Sequence, residues 1–141
     1  VIASAVGFAR VITRLNVATA VSQLIMGSLH SKVVVLLMFN AILLVVGMIM
    51  DTAPAVLVFC PVMLPVVKAL EVDPVHFGII MVVNLAIGFV TPPMGVNLFV
   101  ASNLTKLPVM QIARRAVPFI VAFLIALLFI TFIPAISLAL V

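Results

Sequence analysis

Residues 88–95 read G-F-V-T-P-P-M-G, inside one of the most apolar stretches of the chain. A proline has no N–H for the carbonyl four residues back, and its ring crowds that carbonyl. Pro92 is therefore expected to free the oxygen of Gly88, and Pro93 that of Phe89. Thr91 precedes a proline and is pushed out of the helical region of backbone space. The spacing predicts a helix ending near Val90, a short extended link, and a second helix starting near Pro93. Such a break sets bare carbonyls at one helix end beside bare N–H groups at the next. The main-chain oxygens of Gly88, Phe89 and Met94 and the Thr91 hydroxyl are hard ligands that suit a small hard cation such as sodium. The N–H end suits a carboxylate, which makes Pro93, Gly95 and Asn97 candidate substrate contacts. A kink healed by neighbouring helices is the simpler alternative for one proline.

A second break argues for a site. Residues 46–54 read V-G-M-I-M-D-T-A-P. Gly47 loosens the end of one half-helix. Asp51 or Thr52 can cap the next, with Pro54 in a first turn where a missing N–H costs nothing. Thr52 joins the candidate substrate residues at this helix start. Asp51 has apolar sequence on both sides, a costly setting that marks function. It is a candidate cation ligand or proton carrier, against the plainer reading as an N-cap. Pro61 and Pro65 predict an irregular segment after it. Paired short segments interrupted by Gly and Pro are a sequence pointer to a transporter's binding site.

The elements that must hold these breaks follow from composition. The chain has 141 residues, 67% hydrophobic and 7% charged, where a soluble domain carries roughly 25% charged residues. So few charges cannot cover a water-facing surface, so the chain belongs in a bilayer or buried among membrane subunits. The scattered basic residues, with no Trp or Tyr, argue against nucleic acid. The lone Cys60 has no partner in the sequence for a disulfide or a thiolate metal site. No charged segment precedes the opening V-I-A-S-A-V-G-F-A, so it does not read as a signal peptide. It reads instead as the inside of a helix, and the chain as a piece of a longer membrane protein.

The expected fold class is all-α integral membrane, in one unit. Residues 1–14 are read as the end of a transmembrane helix and 15–32 as an interfacial amphipathic helix. Residues 33–68 are read as a re-entrant hairpin with its tip near 47–54, and 69–76 as a loop. Residues 77–104 are read as a broken helix interrupted at 88–95. A basic connector over 105–115 leads to a transmembrane helix over 116–141, kinked at Pro134. Asn40 is expected to bond another helix of the bundle. Asn84 shares a face with Gly88 and either supports the break or packs. His30 and His76 fall in polar connectors and are read as interfacial.

The stretch from G-M-I-M-D-T-A-P to G-V-N-L-F-V-A-S-N-L closely resembles the large membrane subunit of tripartite ATP-independent periplasmic (TRAP) transporters. The shared motifs are G-x-x-x-D-x-x-P, P-x-x-x-P, D-P-x-H-F-G and N-x-x-I-G-x-x-T-P-P-x-G-x-x-L-F-V. Glu71-Val72-Asp73 stands where a Gly often precedes the Asp-Pro of the family. The resemblance covers essentially the whole chain and corresponds to the carboxy-terminal third of that subunit. It implies two inverted repeats, each with a re-entrant hairpin and a broken helix, in a domain that moves like an elevator. It implies sodium-coupled uptake of organic acids, of dicarboxylate or sugar-acid type. It also implies a periplasmic binding protein, a small membrane subunit, no cofactor beyond the coupling ion, and a place in the bacterial or archaeal inner membrane. Gly88, Thr91 and Met94 match family positions around a sodium ion. The likeness would set Lys32 and the 68–76 loop on the periplasmic side, with Lys106, Arg114 and Arg115 in the cytoplasm. Arg10, Arg14 and Lys32 on the other side leave orientation undecided by charge alone.

Three rival readings stay open on the sequence. One is a carrier of related inverted-repeat architecture that needs no binding protein. Another is a structural membrane subunit. The third is an intramembrane aspartyl protease, which needs a second acid beside Asp51.

Overall fold

The computed structural model describes residues 2–16 and 31–139, with positions 20, 23 and 27 between them. His30 and most of the 15–32 segment lie outside the described residues. Helix α1 runs over Ile2–Arg14, α2 over Lys32–Ile49 and α3 over Thr52–Ala69. Helix α4 covers Pro74–Gly88, α5 Val96–Thr105, α6 Val109–Phe132 and α7 Pro134–Leu138. No strand occurs among the described residues. Helices α2, α3 and α6 are long and apolar enough to cross a membrane. The chain is an all-α membrane protein.

Helix α4 starts where D-P-V-H-F-G directs it. The Asp73 carboxylate accepts from the N–H groups of Val75 (2.7 Å) and His76 (3.3 Å), and Pro74 fills the first helical position. This satisfies two of the orphan donors of the helix start. Phe77 then packs on Phe39 with ring centroids 5.9 Å apart. Gly78 faces open space, and nothing in the structure explains it.

Pro61 and Pro65 do not make their segment irregular. Helix α3 runs unbroken through both. Each proline removes one backbone bond, but α1 and α4 pack against α3, and buried contacts hold its shape. The core joins Val35, Phe39 and Leu43 of α2 to Met63, Val66 and Val67 of α3 and Phe77, Met81 and Leu85 of α4.

Helices α2 and α4 run parallel. Near their starts, Lys32 Nζ donates to the Glu71 carbonyl at 3.4 Å. Phe39 meets Phe77 further along, Asn40 meets Asn84, and Gly47 meets Gly88 at their ends. Both α4 and α5 pack along α6, so one long helix flanks both halves of the broken one.

Only Lys106–Pro108 separates α5 from α6. Lys106 closes α5 in a left-handed conformation, φ 59°. Helix α6 begins at Val109 and takes in Arg114 and Arg115, since I-A-R-R-A is good helix-forming sequence. It stops at Phe132, because Pro134 has no N–H for the Ile130 carbonyl.

His76 is a correction to the interfacial reading. It is 2% exposed, and its Nε2 lies 3.4 Å from the Thr131 carbonyl. That carbonyl sits in the last turn of α6, where helical partners run out. The break at Pro134 thus creates the acceptor that the buried ring meets.

Candidate functional site

The two breaks seen in sequence meet in space. A Cβ built on Gly88 would lie 2.7 Å from the Gly47 Cα and 2.8 Å from the Met48 N. One built on Gly47 would lie 2.8 Å from the Leu85 O and 3.3 Å from the Gly88 Cα. Only glycine at both positions allows this approach. Because α2 and α4 are parallel, two helix C-terminal ends converge here. Each carries a partial negative charge on its last carbonyls.

The loop from Phe89 to Gly95 folds back on itself. The Gly88 carbonyl, expected to be free, accepts from the Thr91 N–H at 3.1 Å. The Phe89 carbonyl accepts from the Asn97 N–H at 3.1 Å. The prolines did remove the helical partners, and the loop supplied replacements, as buried carbonyls require. Gly95 is the second close approach. A Cβ there would sit 2.6 Å from the Phe89 O. Helix α5 begins at Val96 with Gly95 as its N-cap, three residues beyond the expected start near Pro93.

Thr91 is half-buried, and its Oγ1 donates to the Ile87 carbonyl at 2.7 Å. A hydroxyl has one proton and two lone pairs. With the proton committed, the oxygen is left as an acceptor, which is the state a cation needs. Among the described residues, no backbone hydrogen bond around the break uses the carbonyls of Val90, Pro92, Pro93 or Met94. Nor do three His, Cys, Asp or Glu side chains gather anywhere among them. A cation at this place would therefore rest on main-chain and hydroxyl oxygens, a hard donor set.

The other candidates are placed as follows. Asp51 caps α3, its Oδ1 accepting from the Thr52 N–H at 2.7 Å, and its side chain is exposed. Thr52, the first residue of α3, is half-buried. Pro93, Met94 and Asn97 are exposed on the far side of the break, Met94 at 54%. Gly88 and Gly95 are buried, and Phe89 is half-buried.

The chain matches, over residues 1–136, the family described as "Tripartite ATP-independent periplasmic transporter, DctM component". It belongs to this family. It is 46% identical over 129 residues, 92% of its length, to the isethionate TRAP transporter permease protein DctMQ of Oleidesulfovibrio alaskensis. It is 39% identical over 140 residues, 99% of its length, to the C4-dicarboxylate TRAP transporter large permease protein DctM of Pseudomonas aeruginosa. A putative TRAP transporter large permease protein of Haemophilus influenzae is 40% identical over 136 residues. The chain spans 20%, 33% and 34% of the lengths of these relatives. The TRAP permease family is one of transport subunits rather than enzymes, which sets the protease reading aside.

Within this TRAP permease chain, Asn84 does not turn to the break. Its Nδ2 donates to Asn40, at 2.9 Å to the main-chain oxygen and 3.0 Å to the side-chain oxygen. The bond expected of Asn40 to another helix is present twice, to Asn84 and to Thr131. Thr131 and the Gly47–Gly88 crossing were not singled out in the sequence. The one available signal was a glycine at each break.

Proposed function

We propose that this chain forms half of the ion and substrate site of a sodium-coupled transporter for small organic acids. The observation that carries the reading is the convergence of two parallel helix ends at Gly47–Gly88, beside a Thr91 oxygen left free to accept. Two ends of like partial charge this close favour a cation beside them. Gly88, Phe89, Thr91 and Met94 supply its oxygens, and Asp51 adds a negative charge beyond the end of α2 while holding the start of α3. The carboxylate of the substrate takes the opposite pole, at the start of α5, with Pro93, Gly95 and Asn97 around it and the Thr52 hydroxyl as a further contact.

Helices α2 and α3 form the re-entrant hairpin. Helix α4 has 15 residues and α5 has 10, about 22 and 15 Å at 1.5 Å per residue. Both pack along the single helix α6, so their break lies within the membrane. Gly47 touches that break, so the α2–α3 turn at Met50–Asp51 lies at similar depth. The hairpin and the broken helix then travel together, in an elevator-like motion between the two sides of the inner membrane.

The names of the relatives point to C4-dicarboxylates or isethionate as cargo. They also suggest a tripartite assembly, with a periplasmic binding protein and a small membrane subunit as partners. The test is uptake by the full-length permease and its small subunit in proteoliposomes. Transport is expected to need both an inward sodium gradient and the binding protein. Uptake with the binding protein but indifferent to sodium would overturn the coupling, and uptake without the binding protein would favour the simpler carrier.

A further inference from the structure

Asn40 lies two turns before Gly47 on α2, and Asn84 one turn before Gly88 on α4. All four belong to one buried interface. The polar chain through it has a single sense. The Thr131 hydroxyl donates its proton to the Leu127 carbonyl at 2.7 Å. It can therefore only accept from Asn40 Nδ2, at 3.0 Å. That turns the Asn40 side-chain oxygen toward Asn84 Nδ2, at 3.0 Å. Neither amide is free to flip without losing a bond.

This arrangement is not the most stable one available. Asn84 is fully buried, and its Oδ1 has no partner. A pair of leucines would avoid that orphan. What a leucine pair cannot do is hold one register, the best-attested use of a polar pair in an apolar helix interface. The Gly47–Gly88 crossing needs one register. A slip of one residue along α2 moves it by about 1.5 Å and 100°. It would carry Val46 or Met48 into a gap that has no room for a Cβ.

We propose that Asn40 and Asn84 are positioning residues for the cation site, fixing through Thr131 the register at which Gly47 meets Gly88. This rests on the cation reading above. Neither side chain touches the ion in this scheme. They act through the backbone of the two helix ends.

The test uses the full-length permease with its small subunit and binding protein in proteoliposomes. The variants are the double Asn40→Leu/Asn84→Leu and the single Asn84→Leu. The readouts are the half-saturating sodium concentration for uptake at saturating substrate, and melting without sodium. The double variant is expected to melt at or above the wild-type temperature while its half-saturating sodium rises roughly 10- to 100-fold. The single variant should show the same rise with lower melting, because it strands the Asn40 amide. A folded double variant within about twofold of the wild-type sodium response overturns the proposal. So does a loss of sodium response that only tracks a loss of melting temperature. Should the double variant fail to insert, Thr131→Val carries the same test. It strands the Asn40 Nδ2 and should melt lower, as Asn84→Leu does; a sodium requirement raised as in Asn84→Leu supports the register lock, and an unchanged requirement overturns it. A wild type indifferent to sodium refutes the cation reading itself. A sodium-dependent wild type with unshifted variants refutes the lock alone.

Discussion

Gly88→Ala adds one methyl carbon at the place where α2 and α4 touch. That carbon would stand 2.7 Å from the Gly47 Cα and 2.8 Å from the Met48 N. Both are backbone atoms, so no side chain can swing aside. The Gly47 carbonyl carbon lies closer still, and ordinary contact begins near 3.4 Å, so the helix ends must part by roughly 1 Å in a close-packed interior. Overpacking of this kind costs roughly 1–3 kcal/mol. A misplacement near 1 Å in a preorganised site is separately worth on the order of 100-fold in function, or about 2.7 kcal/mol. The half-saturating sodium concentration for uptake into proteoliposomes should therefore rise about 100-fold, with a lower melting temperature. Gly78→Ala is the control in the same helix. Nothing lies within 4 Å of a Cβ there, and alanine favours the helix by up to about 1 kcal/mol. It should melt no lower than wild type and keep its sodium response. A Gly88→Ala permease within about threefold of the wild-type sodium requirement would refute the idea that this crossing shapes the site.

Thr91→Val removes the hydroxyl and should raise the sodium requirement about tenfold or more; Thr91→Ser, which keeps the oxygen, should stay near wild type in the same assay. Asp51→Ala should cost about 1 kcal/mol in melting experiments, because it removes the α3 cap, whereas Asp51→Asn should spare most of that stability. The same Asp51→Asn variant should raise the sodium requirement only a few-fold, since its charge acts from beyond the helix end. Replacing Pro92 and Pro93 together by Ala should restore helical bonding across residues 88–95, visible as stronger amide protection in hydrogen exchange, and should abolish uptake.

What could be read from the sequence was local, and what could not was through space. Pro92, Pro93 and Gly95 break a helix by their own covalent structure, so the interruption is visible in the sequence itself. Asp73 and Pro74 announce a helix start for the same reason. Pro61 and Pro65 carry the same signal, yet α3 runs through them, because packing by α1 and α4 outweighs two lost bonds. Pro92 and Pro93 by themselves leave the Gly88 and Phe89 carbonyls free, and only the return of the loop brings the N–H groups of Thr91 and Asn97 to them. His76 sits in the polar stretch E-V-D-P-V-H, which reads as surface. Its ring meets the Thr131 carbonyl, at the helix end before Pro134, far along the chain. Asn84 lies on a helix that is apolar nearly all round, so periodicity could not say which neighbour its amide would face.

Two breaks that meet differ in kind from one, which would make only a kink. A single interrupted helix can satisfy its loose ends from within, as the loop at Phe89–Gly95 largely does. Two parallel C-terminal ends pressed together differ, because their partial charges have the same sign whatever their local hydrogen bonds. The glycine crossing holds them at a distance set by sterics rather than by electrostatics. On the proposed reading, a cation bound beside the crossing would offset that repulsion and stabilise the arrangement in which α2 and α4 touch. The ion's affinity then differs between a state in which the ends touch and one in which they part. Differential affinity of this kind is what allows an ion to drive a conformational equilibrium. By the same linkage, a substrate carboxylate bound at the helix starts beyond the two breaks would tighten sodium binding as much as sodium tightens its own.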